Sequence, residues 1–300
     1  MRVSYFLAFL LIVGGSFFSS CSTNPYAAAN RSYKKQVKAY ARSLSETPVT
    51  VPGSEALQLG DFWVGTTNFN LRKPNYVIIH HTEQDSTAQT LKTFTQHQTQ
   101  VSAHYVIGRD GKVYHMLNDY LRAWHGGIGK WGSNSDLNSS SIGIELDNNG
   151  QDPFPEAQIN SLLQVLAMLK KNYNIPAANF IGHADIAPAR KVDPSIHFPW
   201  KQLAENGFGL WYDEDRLLPT IVLESVATSD TTFALVQKQV YDSIPETFNP
   251  QEALRIIGYD TQDLPAAIRA FKLHFIQRDI NSPLTEEDKR VLYILYKKYL

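Results

Sequence analysis

An apolar stripe at helical spacing, Ile159, Leu162, Leu163, Leu166, Leu169 and Tyr173, lies between short aliphatic runs, and this interleaving most narrows the folds open to the chain. Pro153 and Pro155 precede the stripe and Pro176 follows it, so the helix is bounded at both ends. Upstream, Tyr76-Val77-Ile78-Ile79-His80 reads as a buried strand. Ile142-Gly143-Ile144-Glu145-Leu146 alternates with period two, which puts its three aliphatics on one face and Glu145 with Asp147 on the other. Tyr105-Val106-Ile107 and Val113-Tyr114 flank Gly108-Arg109-Asp110-Gly111, a hairpin signal because glycine takes positive φ without steric cost. Asn179-Phe180-Ile181-Gly182 is a further short strand, and a weaker helix is expected over 87–99. The pattern predicts an α/β domain.

A chain of 300 residues leaves room for about two domains. The α/β texture closes near Trp211, and after about Ser225 the pattern predicts short helices. Phe233, Val236, Gln237 and Val240 make one stripe; Ala253–Ile257 ends at Gly258; Ile268, Phe271, Leu273 and Phe275 make another. Thr285 to Asp288 resembles a capping box ahead of Leu292, Leu295 and Tyr299. A small all-α module over 225–300 is therefore expected. The net charge of −1 carries no basic excess, so no nucleic-acid partner is expected, and a monomer is.

The N-terminus has a different character. Arg2 precedes the mostly apolar run Val3 to Phe18, the pattern of an export signal, and residues 1–20 are set aside from the mature fold. Phe18-Ser19-Ser20-Cys21 resembles a bacterial lipobox, with Phe18 where leucine is usual. Cys21 is the single cysteine, so no intramolecular disulfide can form, and it reads as a lipid attachment point. The other reading is a secreted chain cut nearby. Residues 21–52 form a tether carrying Arg31, Lys34, Lys35, Lys38 and Arg42. These features imply an exported protein on a membrane through its lipid, with Ser22 compatible with outer-membrane sorting towards the periplasm.

His80 ends one strand, His183 follows another, and Asp193 lies ten residues further along in a proline-bounded loop. Two imidazoles and a carboxylate suit a hydrolytic zinc site with one position left for water. The 103 positions between the histidines leave surface residues and an Asp-Pro turn as the other reading.

Five local sequences occur in order: Val77-Ile78-Ile79-His80-His81-Thr82, Ser102-Ala103-His104-Tyr105, Ala123-Trp124-His125-Gly126-Gly127, Ser141-Ile142-Gly143-Ile144-Glu145-Leu146, and Gly182-His183 through Lys191-Val192-Asp193-Pro194. Together they resemble the zinc N-acetylmuramoyl-L-alanine amidases, most closely the outer-membrane lipoprotein branch with a C-terminal helical peptidoglycan-binding-like domain. The resemblance is strong over 75–211 and weaker over 233–300. It implies an α/β fold with a central mixed β-sheet flanked by helices, a zinc amidase domain at 53–215, and a wall-binding helical domain at 225–300. It also implies one Zn²⁺ held by His80, His183 and Asp193, a catalytic Glu145, and Lys191 at the transition state. Trp124 and His125 are expected to border the substrate groove. The implied substrate is peptidoglycan or its muropeptides, cut between N-acetylmuramic acid and L-alanine. His81 faces away from His80 on a regular strand, His104 reads as a packed histidine, and Asp185 is expected to partner a metal-bound imidazole. A non-catalytic peptidoglycan-binding lipoprotein is the alternative.

Overall fold

The computed structural model describes residues 24–45, 66, 68, 71, 73–229, 232–241 and 243–300. The export segment, Cys21 and residues 46–52 of the tether lie outside the described residues. Met1–Gly65 is one unit and Thr66–Leu300 the other. In the first, helix α1 (Ala27–Ser45) carries the five basic residues and buries no side chain. No helix among the described residues is long and apolar enough to cross a membrane.

The second unit is built on a five-stranded sheet: β1 (Tyr76–His81), β2 (Tyr105–Ile107), β3 (Val113–His115), β4 (Ser141–Leu146) and β5 (Phe180–Gly182), in the order β3-β2-β4-β1-β5. The pairs β2·β4, β4·β1 and β1·β5 are parallel, and β3 closes the edge antiparallel to β2. The turn between β2 and β3 uses Gly111 at φ +80, as the Asp-Gly signal predicts. Parallel strands need crossovers, supplied here by α2 (Thr87–Phe94), the short α3 (Leu137–Ser140) and α4 (Glu156–Tyr173).

The period-two pattern of β1 and β4 splits the core. Val77, Ile79, Ile142, Ile144 and Leu146 pack against Ile159, Leu162, Leu166 and Leu169 of α4. Gln158 fastens that helix to the sheet, donating from Nε2 to the carbonyls of Ile107 and Asp147. The opposite face carries Ile78 and Ile181. It is covered by α5 (His183–Ile186) and by α7 (Pro250–Ile257), α8 (Leu264–Phe271) and α9 (Glu286–Tyr299), while α6 (Trp200–Glu205) supplies Trp200 to the first core. The C-terminal helices stand close to their expected places, including the Gly258 stop and the reciprocal Thr285–Asp288 capping box.

The stretch expected to open the helical module is a long hairpin instead, β6 (Thr220–Ser229) paired antiparallel with β7 (Thr232–Val240). The β-branched run Thr220-Ile221-Val222 favours extended backbone, and Lys238 pairs with Glu224 across the strands at 3.0 Å. Ile221, Leu223 and Leu235 remain exposed, so no buried face imposes a clean alternation. Residues 225–240 therefore do not belong to an all-α module.

Candidate active site

In an open α/β sheet, ligands gather at the carboxyl ends of the parallel strands, and the chemistry-bearing residues of this chain do the same. The register pairs His80 of β1 with Glu145 of β4, and Ile79 with Gly182 of β5, so His183 emerges beside them. The loop after α5 returns because the Ala184 N–H donates to the Asp193 carbonyl at 2.7 Å. That bond brings Asp193 back beside His183, ten positions earlier.

There, His80 Nδ1 lies 2.9 Å from His183 Nδ1 and 3.1 Å from Asp193 Oδ2, and His183 Nδ1 lies 3.0 Å from the same oxygen. All three side chains are buried. Hydrogen bonds behind the imidazoles fix their tautomers. His183 Nε2–H donates to the Gly126 carbonyl at 3.1 Å, which leaves its Nδ1 bare. His80 Nε2 is 3.1 Å from His125 Nδ1, and His125 Nε2 is 3.2 Å from Ser141 Oγ. Ser141 gives its own proton to the Leu137 carbonyl and so accepts from His125. The relay then runs His80 to His125 to Ser141, and His80 Nδ1 is bare as well.

Three lone-pair donors without a shared proton repel one another unless a cation sits among them. Tetrahedral zinc at about 2.0–2.1 Å from each donor puts donors roughly 3.3 Å apart, close to the separations found. The donor set fits the metal. Burial and then His183 push the His80 imidazole down to about 4, against the pull of Asp193, so it is in the neutral ligand form. Burial and His80 likewise hold His125 well below the usual imidazole range.

Glu145 is buried, not a solvent-facing strand charge. Burial and then the Asp193 carboxylate push it up to about 8, with Lys191 opposing. Lys191 is half-buried, and its ammonium acts on both Glu145 and His80. Trp124 is 48% exposed, whereas His125 is 8% exposed and stands behind His80. Gly143 makes room for it: a Cβ there would come within 2.3 Å of the His125 ring. His81 accepts from the Ser195 N–H on the other side of the strand. His104 is packed, its Nδ1 accepting from Gly143 N–H and its Nε2 donating to the Leu121 carbonyl. The expectation for Asp185 needs correction. The Gly126 carbonyl takes the His183 proton, and Asp185 turns away to bond Gly182 N–H, Tyr259 and His274.

Sequence reasoning missed Ser141, Asn138 and Arg190. Asn138 Oδ1 accepts from the N–H groups of His125 and Gly126, and Arg190 donates to the carbonyls of Gly126 and Ile128. Both shape the loop that orients the two imidazoles. Ser141 and Arg190 lay inside recognised motifs without a role of their own, and Asn138 carried no separate signal.

A buried carboxyl, an ammonium acting on it and a three-donor cluster able to hold a metal ion are the equipment of a mononuclear metallohydrolase. The N-acetylmuramoyl-L-alanine amidase family model matches residues 70–196. N-acetylmuramoyl-L-alanine amidase AmiD of Escherichia coli is 33% identical over 242 residues, spanning 74% of this chain and 82% of AmiD. The 1,6-anhydro-N-acetylmuramyl-L-alanine amidase AmpD of Haemophilus influenzae is 37% identical over 107 residues, 35% of this chain and 58% of AmpD. Escherichia coli AmiD in complex with anhydro-N-acetylmuramic acid-L-Ala-D-gamma-Glu-L-Lys aligns with a TM-score of 0.62 and 28% identity over 78% of this chain and 93% of AmiD. AmpDh3 of Pseudomonas aeruginosa aligns at 0.63 and 28% over 81% of this chain and 99% of AmpDh3. This chain belongs to the N-acetylmuramoyl-L-alanine amidase family.

Proposed function

We propose that the chain hydrolyses the amide between the lactyl group of N-acetylmuramic acid and the first L-alanine of peptidoglycan or its muropeptides, with one zinc ion held by His80, His183 and Asp193. The observation that carries the reading is the convergence of two bare Nδ1 atoms and one carboxylate oxygen within 3.1 Å. When bound, zinc polarises the carbonyl and brings its water into the titration range near neutrality. Glu145 takes the proton of the attacking water and returns it to the leaving amine: its burial favours the protonated form that gives the proton back, and the cation favours the carboxylate that first accepts it. Lys191 places its positive charge where the oxyanion develops. Trp124 offers an exposed indole to the glycan or stem peptide, and His125 orients His80 from behind.

Cys21 carries the lipid in this reading, after export directed by residues 1–20, and the protein faces the periplasm from the outer membrane. The apolar run ending in Ser19-Ser20-Cys21 supports it. The C-terminal module contributes to wall binding. Incubating the signal-less protein with purified sacculi and with isolated muropeptides, followed by mass spectrometry, tests the activity. Free stem peptides with their L-alanine amine exposed are the expected product, abolished by a chelator and restored by zinc. Binding without release identifies a non-catalytic receptor and refutes the reading.

A further inference from the structure

The segment 182–198 carries His183, Lys191 and Asp193, and four hydrogen-bonding side chains from the C-terminal helices and the turns that end them reach it. Arg269 on α8 donates to the Pro188 carbonyl at 2.8 Å. Gln277, just after α8 ends in a turn of π-helix over Lys272–Ile276, donates to the carbonyls of Ile196 and Phe198. Tyr259 and His274 both end on Asp185, two residues after His183. The Tyr259 hydroxyl donates to Oδ1 at 2.7 Å, and His274 Nδ1 donates to Oδ2 at 2.7 Å. The same Oδ2 accepts the Gly182 N–H at 2.7 Å, at the point where β5 hands over to His183.

The bonds between the two halves run in one direction: the C-terminal module supplies the donors and the metal-bearing segment supplies the acceptors. Asp185 is buried, as are both of its side-chain partners. The His274 ring is held between Trp200 at 3.8 Å and Phe275 at 4.0 Å, stacked on both faces, and Tyr259 meets Trp131 edge-on at 5.0 Å. Packing from both sides of the interface therefore holds the donors on the carboxylate. A buried carboxylate is costly unless its lone pairs are taken, and here two of its three bonds come from outside the α/β domain.

We propose that the C-terminal helices form a clamp on the metal-bearing segment, fastened at Asp185, and that Tyr259 and His274 are positioning residues for the zinc centre. The inference rests on His183 and Asp193 being zinc ligands. It gives the helices a second role beside wall binding: without Tyr259 and His274, the strand end that aims His183 loses its anchor.

Four variants test it, each read by zinc affinity in chelator competition and by amide hydrogen exchange over 182–193. Tyr259→Phe removes one hydroxyl, and His274→Ala removes the imidazole. His274→Asn keeps an N–H donor near the Nδ1 position. Lys272→Met breaks the ion pair with Asp288 inside the same module without touching 182–198. Groups bonded directly to metal ligands typically contribute about 10–100-fold to affinity; Tyr259 and His274 act one residue further out, through Asp185, so Tyr259→Phe and His274→Ala are expected to weaken zinc by no more than the low end of that range, about tenfold, and to speed exchange over 182–193 but not over α4. His274→Asn is expected to recover most of the loss. Lys272→Met is expected to lower the melting temperature and leave both readings unchanged. Affinity within twofold and unchanged exchange in Tyr259→Phe and His274→Ala overturn the clamp, and so does an equal loss in Lys272→Met. If His274→Ala does not fold, Tyr259→Phe decides. A parent protein that binds no zinc refutes the ligand set instead, and the exchange data alone then decide the clamp.

Discussion

Replacing Glu145 by glutamine separates the charge of this buried side chain from its shape. In metal-free protein, burial and then Asp193 push the carboxyl from 4.5 to about 8. Below pH 4.5 it is protonated in folded and unfolded chains alike, and no penalty exists. As the pH rises from 4.5 to about 8, the unfolded chain gives up this proton first, so the folded state loses stability steadily, and above about 8 the loss levels off. At about 1.36 kcal/mol per pH unit the whole span amounts to roughly 5 kcal/mol, an upper figure that local relaxation and water entry reduce. Glutamine does not titrate. In urea titrations with a chelator present, parent and Glu145→Gln are expected to be similar near pH 4.5, and the variant to be more stable by a few kcal/mol at pH 8. The His80 imidazole, depressed to about 4, makes both proteins lose stability as the pH falls below 6.5, and this cancels in the difference. Added zinc is expected to shrink the gap by offsetting the negative charge. The same variant is expected to bind zinc and lose about 10²–10⁴ in turnover. A difference flat with pH, or near-normal turnover, refutes the reasoning.

His183→Ala is expected to lose bound metal, checked by elemental analysis of the purified protein against the parent. Ser141→Ala removes the acceptor that ends the His80–His125 relay and is expected to weaken zinc by about tenfold, read by chelator competition. Gly143→Ala puts a methyl against the His125 ring and is expected to cost about 1–3 kcal/mol of stability along with zinc affinity. Leu166→Ala empties a fully buried position under α4 and is expected to cost about 2–5 kcal/mol in urea denaturation with zinc affinity unchanged.

Helix α4 was legible because its stripe and bounding prolines are local facts, β1 because its run is continuously apolar and rich in β-branched residues, and β4 because its aliphatic side chains repeat with period two. The zinc cluster was not legible from spacing. His80 and His183 meet through the β4-β1-β5 pairing, and Asp193 through a single backbone bond from Ala184. Only the ordered motifs carried that information. The β6–β7 ribbon was misread because Phe233, Val236 and Val240 fit a helical stripe as well as a strand, and a ribbon with apolar groups left in solvent has no buried face to impose a period. The partner of Asp185 was invisible for a related reason: His274 lies 89 positions away on a module whose docking no local pattern encodes.

Ile78 and Ile181 of the sheet share one apolar floor with Leu254, Phe271 and Leu292 of the C-terminal helices. Neither half closes over that floor alone, so the sheet and the helices are expected to melt together, in one transition by calorimetry. A protease nick in the β6–β7 ribbon would therefore leave two fragments that stay associated, whereas a chain ending before α7 would present that floor to water and aggregate.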